Sequence, residues 1–489
     1  MLPFAIEAAE FIGPPAPNLP GNAEIAAYFV AAAALTCLCV IGLLRRNAAI
    51  GMDAPDGRRK LHDRPILRIG GAPIFIALLA GLAMSIVTKR LEWSTWMPLI
   101  LCNALIFSVG FADDLKPLGA RVKLIGQIGA ALILFALGLS IDVLSNPFGG
   151  GGLPLGWWSL PLTLLWLVAI PNIINLIDGM DGLAGGFGLF LALTLASVGY
   201  ISGQGDVVMA SVVMAGALAG FLFFNFPPAK IFLGDGGAYL IGFFVASVSL
   251  KSSNKGSVIA ALLVIVIALG VPILDTAFAI LRRSIRGVPI FSADAEHIHH
   301  RLILLGYSKP RALAAMYTVC LVLSLGGISV LLTKGITFPV AGAVMFLLAI
   351  GAARYLGYVR SWTNLRQQIH EAMERRRRLE HARAHARVLE FDFEKCESVD
   401  ELSTVLRYRL GWIGFKTEQE PGTVPLELVL ASGVKCALYR PDDQDAPDDW
   451  NRRADPFVSI LERCVDKWGV LPSLLPATDP AADQEKVDA

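Results

Sequence analysis

The chain is 489 residues long, 55% hydrophobic and only 17% charged, with a mean hydropathy of +0.59; this excludes a soluble globular protein of ordinary make-up and marks an integral membrane protein. A net charge of +1 averages an apolar part with a highly charged C-terminal stretch, so it argues for no partner by itself, and no nucleic-acid partner is expected. The seven cysteines, Cys37, Cys39, Cys102 and Cys320 among them, form no CxxC pair and are read as small core residues rather than a disulfide framework.

In chain order, the opening "MLPFAIEAAEFIGPPAPNLPGN" carries acids and prolines without a basic n-region. Residues 1–24 are therefore expected to be a short extracytoplasmic lead and not a cleaved signal. Eleven candidate spans follow, judged against about 20 apolar residues per crossing: 25–44, 70–88, 96–112, 122–141, 158–177, 183–202, 207–225, 237–252, 257–281, 312–333 and 337–359. Loops after odd-numbered spans hold seventeen Lys and Arg against five on the other side, which predicts the N terminus outside and the C terminus in the cytoplasm. The expected fold is thus an all-α polytopic membrane protein of about eleven transmembrane helices (25–359), with a small cytoplasmic α/β tail.

That tail divides in three. Residues 360–390 predict a charged helix, with Leu365, Ile369 and Met373, then Leu379, Ala382, Ala386 and Leu389, three or four apart. Its run Arg375 to Arg378 is either a solvated face or a contact with anionic lipid. Residues 391–475 predict a small α/β unit without a catalytic motif, "VDELSTVLRYRLGWIGF" as helix and "LELVLA" with "VKCALYR" as strands paired around "SG"; 476–489 are expected to be disordered.

Sorting the loops by side gathers every unusual polar cluster on the cytoplasmic face: "DDLK" at 113–116, "NLIDGMDGLAGG", "NFPPAKIFLGDGGAYLIG" at 225–242 and "DAEHIHHRLILLGYS" at 294–308. Asp113, Asp114, Asp178, Asp181 and Asp235 thereby converge at helix ends. Such acids repel one another unless a cation is present, and Mg²⁺ is bound by one or two carboxylates plus substrate phosphates. Taken singly, an Asp and Gly at a helix end can do no more than cap it and turn the chain. Ion or proton transport is a further reading, but these acids lie in interfacial loops and no internally repeated broken helices are visible.

The set "RKLHDRPILRIGGAPI" (59–74), "GFADDLKPLGARVKLIGQ" (110–127), "NIINLIDGMDGLAGG", "NFPPAKIFLGDGGAYLIGF", "PILDTAFAILRR" and "HIHHRL" resembles the polyprenyl-phosphate N-acetylhexosamine-1-phosphate transferases, in the family's order over residues 25–359. The resemblance implies a polytopic enzyme of the bacterial cytoplasmic membrane, using Mg²⁺ or Mn²⁺. It would transfer a sugar 1-phosphate from a UDP-N-acetylhexosamine to undecaprenyl phosphate with release of UMP, the first membrane step of a cell-envelope glycan such as lipopolysaccharide O-antigen. "HIHHRLILLGYS" resembles the UDP-N-acetylglucosamine branch more than the muramoyl-pentapeptide branch, which stays as the near alternative. A homodimer is left open.

The resemblance also assigns roles. Asp235 matches the metal-binding aspartate, and Asp113 with Asp114 the acidic pair that acts on the lipid phosphate, with Asp114 helping to hold the metal. Asn175, Asp178 and Asp181 match the cluster lining the nucleotide-sugar cleft. Asn225 matches a site asparagine, and Phe232 an aromatic stacked on uracil. Lys123 and Lys116 would offset phosphate charge, and Arg59, Lys60 and His62 match a basic loop bordering the cleft. His297, His299, His300 and Arg301 fall in the segment tied to sugar choice. The histidines are expected to donate to phosphate or sugar oxygens, since a zinc site lacks a suitably spaced fourth ligand. Asp275 is a further match to the UDP-N-acetylglucosamine branch; the alternative is an acid that does no more than orient Arg282 or Arg283.

Overall fold

The computed structural model describes residues 19–46, 52–53, 66–144, 153–253, 258–285, 297–333, 335–355, 362–417, 419–430, 435–442 and 447–469. They divide into two units: Met1–Ala279 with Ala293–Tyr358, and Ile280–Ser292 with Val359–Ala489. In the first, helices stand at all eleven expected places: α1 (Asn22–Arg45), α2 (Gly71–Val87), α3 (Trp93–Leu115), α4 (Ala120–Ala136), α5 (Ser159–Ile177), α6 (Leu183–Ile201), α7 (Gly205–Asn225), α8 (Gly234–Ser253), the pair α9 (Val258–Ala268) and α10 (Gly270–Ile285), then, after the short α11 (Ile298–Leu304), α12 (Lys309–Leu332) and α13 (Phe338–Tyr355). Among the described residues seven helices are long and apolar enough to cross a membrane, or up to eight with the bent pair, against the eleven crossings expected. The ninth expected span is instead two helical pieces, Leu262–Ala268 and Gly270–Ile280, that meet at 65°. Pro272, on the first turn of α10, has no N–H for the carbonyl of Ala268, so the ladder cannot run through.

Sequence chemistry explains the layering. α7 is small and apolar all round and is buried on nearly every side chain, as a helix at the centre of a bundle must be. α8, packed chiefly on α3 and α5, is equally buried. The outer helices instead turn Leu38, Ile125, Leu165, Leu325 and Phe346 outward, the pattern of a surface solvated by acyl chains rather than water. Polar anchors hold one end of the bundle: Arg90 donates to both carboxylate oxygens of Glu24, at 2.8 and 2.6 Å. Lys251 pairs with Asp206 at 2.8 Å. Lys251 and Asp235 lie at opposite ends of α8, roughly 24 Å apart at 1.5 Å per residue.

The second unit is built on α14 (Trp362–Lys395), α15 (Val399–Trp412), an antiparallel hairpin of β1 (Thr423–Val429) and β2 (Lys435–Pro441) with Leu426 opposite Leu438, and α16 (Pro447–Trp468). Ser398 caps α15, its hydroxyl accepting the Glu401 N–H at 3.3 Å. Ala382, Ala386, Leu389 and Phe393 of α14 meet Leu402, Leu406 and Leu410 of α15 and Phe457, Ile460 and Leu461 of α16 in one core. Met373, expected on the same apolar stripe, is exposed. α16 was not foreseen: its acids and arginines mask an apolar face.

Candidate active site

The site is assembled where α2, α3 and α8 meet. Just before α2 the chain runs extended beside residues 231–233: Phe232 donates its N–H to the Leu67 carbonyl at 2.8 Å, Gly70 to the Phe232 carbonyl at 2.9 Å, and Gly71 to Leu233 at 2.8 Å. This pairing sets Arg68 beside the start of α8. Gly234 turns the chain there with φ of +77°, a conformation that favours glycine. Gly110 of α3 lets the two backbones touch, since a Cβ there would fall 2.7 Å from the Asp235 carbonyl and from Gly236 Cα.

Asp235 sits at the centre. Its Oδ1 accepts from Arg68 Nη2 at 2.7 Å and its Oδ2 from Lys123 Nζ at 3.0 Å, and Asn175 adds a side-chain hydrogen bond. Lys123 also reaches Asp113 Oδ2 at 3.3 Å, while Asp113 Oδ1 accepts the Leu118 N–H at 2.7 Å. Asp114 does something else. Its two oxygens accept the backbone N–H groups of Asp235 at 2.8 Å and Gly236 at 2.9 Å, so this carboxylate caps the positive end of α8. Through these two bonds Asp114 braces the turn that carries Asp235, with Arg68 Nε 3.6 Å from its Oδ1.

Asp178 ends α5 and faces the same group. Loss of hydration, with the negative charge of Asp235 next, pushes its carboxyl up to about 7, against the pull of Arg68. Asp181, expected in the cleft chemistry, accepts the Ala229 N–H at 3.2 Å. Asn225 bridges the same loops, accepting the Gly182 N–H at 2.9 Å and donating to the Ile231 carbonyl at 2.8 Å. Tyr317 Oη donates to the Gly182 carbonyl. These three residues tie the two glycine-rich loops together. Phe232 is half-buried in the extended segment, and Lys116 is exposed at the end of α3. Arg59, Lys60 and His62 lie outside the described residues.

The histidine segment meets the first of those loops. His299 is buried, neither ring nitrogen has a hydrogen-bond partner, and a Cβ on Gly179 would lie 2.8 Å from its Nε2. Burial, then the neighbouring His300, lowers its pKa to about 3, so the ring is neutral at physiological pH. His297 and His300 flank it, with ring centroids 5.8 and 4.2 Å away. Arg301 follows, half-buried, one turn into α11. Among the described residues no three His, Cys, Asp or Glu gather as a metal cage. The carboxylates of Asp235 and Asp178 offer hard oxygens, which fit Mg²⁺ completed by phosphates and water, beside the cations Arg68 and Lys123.

Arg68 was not singled out by the sequence reading. The signal was available: "LRIGG" puts a cation two residues before a pair of glycines that permit close backbone packing.

Residues 96–253 match the sequence model described as glycosyl transferase family 4. A Bacillus subtilis protein described as a "probable undecaprenyl-phosphate N-acetylglucosaminyl 1-phosphate transferase" is 39% identical over 319 residues, 65% of this chain and 87% of the relative. A decaprenyl-phosphate N-acetylglucosaminephosphotransferase of Mycobacterium tuberculosis is 35% identical over 320 residues, 60% of this chain and 79% of its own. More distant is a phospho-N-acetylmuramoyl-pentapeptide-transferase of Halalkalibacterium halodurans, 29% identical over 298 residues, covering 58% and 88%.

Proposed function

The chain belongs to the polyprenyl-phosphate N-acetylhexosamine-1-phosphate transferases of glycosyl transferase family 4, and we propose that it transfers GlcNAc 1-phosphate from UDP-GlcNAc to undecaprenyl phosphate with release of UMP. The observation that carries the reading is the cluster at the N terminus of α8: Asp235 between Arg68 and Lys123, with Asp113, Asp178 and Asn175 around it. Phosphoryl transfer between two anions is chiefly a problem of positioning and charge, and this site offers both. Identity to relatives named for N-acetylglucosamine exceeds identity to the muramoyl-pentapeptide relative, which favours GlcNAc as the sugar.

In the reaction an oxygen of the lipid phosphate attacks the β-phosphorus of the UDP-sugar, and the bond from that phosphorus to the bridging oxygen breaks, the electron pair leaving with UMP. A phosphate monoester has a second pKa of about 6, so the nucleophile is largely dianionic at neutral pH without a strong base. Arg68 and Lys123, now turned to Asp235, are the cations within reach of an incoming pyrophosphate. Mg²⁺ held by Asp235 and Asp178 would neutralise the pyrophosphate and the departing phosphate. A two-step route through an aspartyl phosphate predicts exchange of UMP into UDP-GlcNAc without lipid; direct attack predicts none.

The reading further takes the site to face the cytoplasm of a bacterial inner membrane, with the N terminus outside and eleven crossings, α9 and α10 forming one; the Lys and Arg bias of the loops supports this. Residues 359–489 lie outside the matched region. Truncation after Gln368 is expected to leave a membrane-inserted protein that still releases UMP; a well-folded truncated protein without activity would make the tail part of the enzyme.

The direct test is purified protein with undecaprenyl phosphate, Mg²⁺ and a panel of UDP-sugars, scored for UMP and lipid product. UMP from UDP-GlcNAc but not from the muramoyl-pentapeptide nucleotide is the expected result. Turnover of the pentapeptide nucleotide alone would move the chain to the other branch. Flux across sealed vesicles with no UMP would replace the enzyme with a transporter.

A further inference from the structure

We propose that Asp275 is a positioning residue that clamps the histidine segment against the nucleotide-sugar cleft, a role that rests on the transferase reading above. Asp275 is buried on α10, just past the 65° break. Its Oδ1 accepts the Ile298 N–H at 2.9 Å, and its Oδ2 lies 3.1 Å from His297 Nδ1. Both partners stand at the start of α11, so a carboxylate from another helix caps it. The Ile298 N–H is among those a helix cannot pair within itself. A helix of seven residues does not hold its own shape in water, and this bond supplies an anchor.

The clamp bears on the site through α11. Two residues beyond His297, His299 is buried against Gly179 in the loop that follows Asp178. The same carboxylate sets the His297 tautomer, because an acceptor at Nδ1 requires the proton there. The break between α9 and α10 has a purpose in this arrangement: the turned α10 brings an acid to α11. Asp275 touches no substrate in this role. It fixes where His299 and His300 stand.

The test compares Asp275→Asn, Asp275→Glu and Asp275→Leu in the full-length enzyme, alone and combined with His299→Ala. It reads kcat and KM for each substrate and hydrogen exchange of the 298–304 amides. Asn keeps one acceptor oxygen but offers a donor to His297, and is expected to cut kcat/KM for UDP-GlcNAc about 10- to 100-fold, the cost of a small misplacement of reacting groups. KM for undecaprenyl phosphate should stay within about twofold, and Glu should recover part of the loss. In the His299→Ala background the Asn change should cost less than about threefold, as for groups acting through one path. Exchange at 298–304 should quicken in Asn and Leu. Losses that multiply across the two sites, or wild-type exchange protection in Asp275→Leu, would overturn the clamp. If wild type released UMP from no UDP-sugar, the transferase reading would fall, and the exchange data would still decide whether Asp275 holds the segment.

Discussion

Asp235→Asn is expected to lower UMP release about 10³-fold, equivalent to ~4 kcal/mol of transition-state stabilisation, while the protein folds normally. The substitution keeps the shape of the side chain and can still accept from Arg68 at 2.7 Å or Lys123 at 3.0 Å. What it removes is the charge. Two cations would then face each other without their shared anion, so UDP-sugar binding need not weaken and KM could fall as kcat collapses. The Mg²⁺ concentration needed for residual turnover should rise steeply, because the central carboxylate of the proposed metal site is gone. The measurement is initial rate against Mg²⁺ at saturating substrates. Near-normal rates with unchanged Mg²⁺ dependence would show that Asp235 is not the metal donor, and the neighbouring acids, Asp178 and the pair Asp113 and Asp114, would be the ones to test in its place.

Much of this arrangement could be read before any coordinates. Sorting loops by charge put the acids on one face, and family order put Asp235 at their centre. What stayed hidden has physical causes. Asp113 and Asp114 are adjacent, about 100° apart around a helix of 3.6 residues per turn; sequence cannot say which one turns toward the start of α8. Arg68 sits in an extended segment whose partner strand, 231–233, lies far away in the chain. Local patterns carry no sign of that pairing. Resemblance places Asn225 and Asp181 at the cleft, but only the structure shows that their side chains also bond loop backbone, at Gly182, Ile231 and Ala229. The break after Ala268 was legible in "GVP", but continuous hydropathy across 257–281 outweighed it. In the tail, Met373 continues the apolar spacing on paper yet is exposed, whereas Ala382, Ala386, Leu389 and Phe393 are buried where α15 and α16 supply a surface to pack against.

The acidic pair should separate cleanly under mutation, and the separation tests the division of labour at the site. Asp114→Asn leaves one oxygen for two backbone donors. Its amide would point a donor at the N–H of Asp235 or Gly236, and the negative charge at the start of α8 would vanish. Leaving such a buried donor unpaired costs ~1–3 kcal/mol, and losing a partly buried charge at a helix terminus adds up to ~2. The variant should melt at lower temperature in detergent and lose nearly all activity, because Asp235 itself moves. Asp113→Asn is the contrast. It keeps the Leu118 N–H bond and loses an ion pair of 3.3 Å to Lys123, so its melting should stay close to wild type. Its activity should fall less, and raising the pH from about 6 to 8 should recover part of it, since the lipid phosphate then ionises unaided. A wild-type melting curve for Asp114→Asn together with a selective loss of Mg²⁺ affinity would reverse the argument and make Asp114 a metal donor.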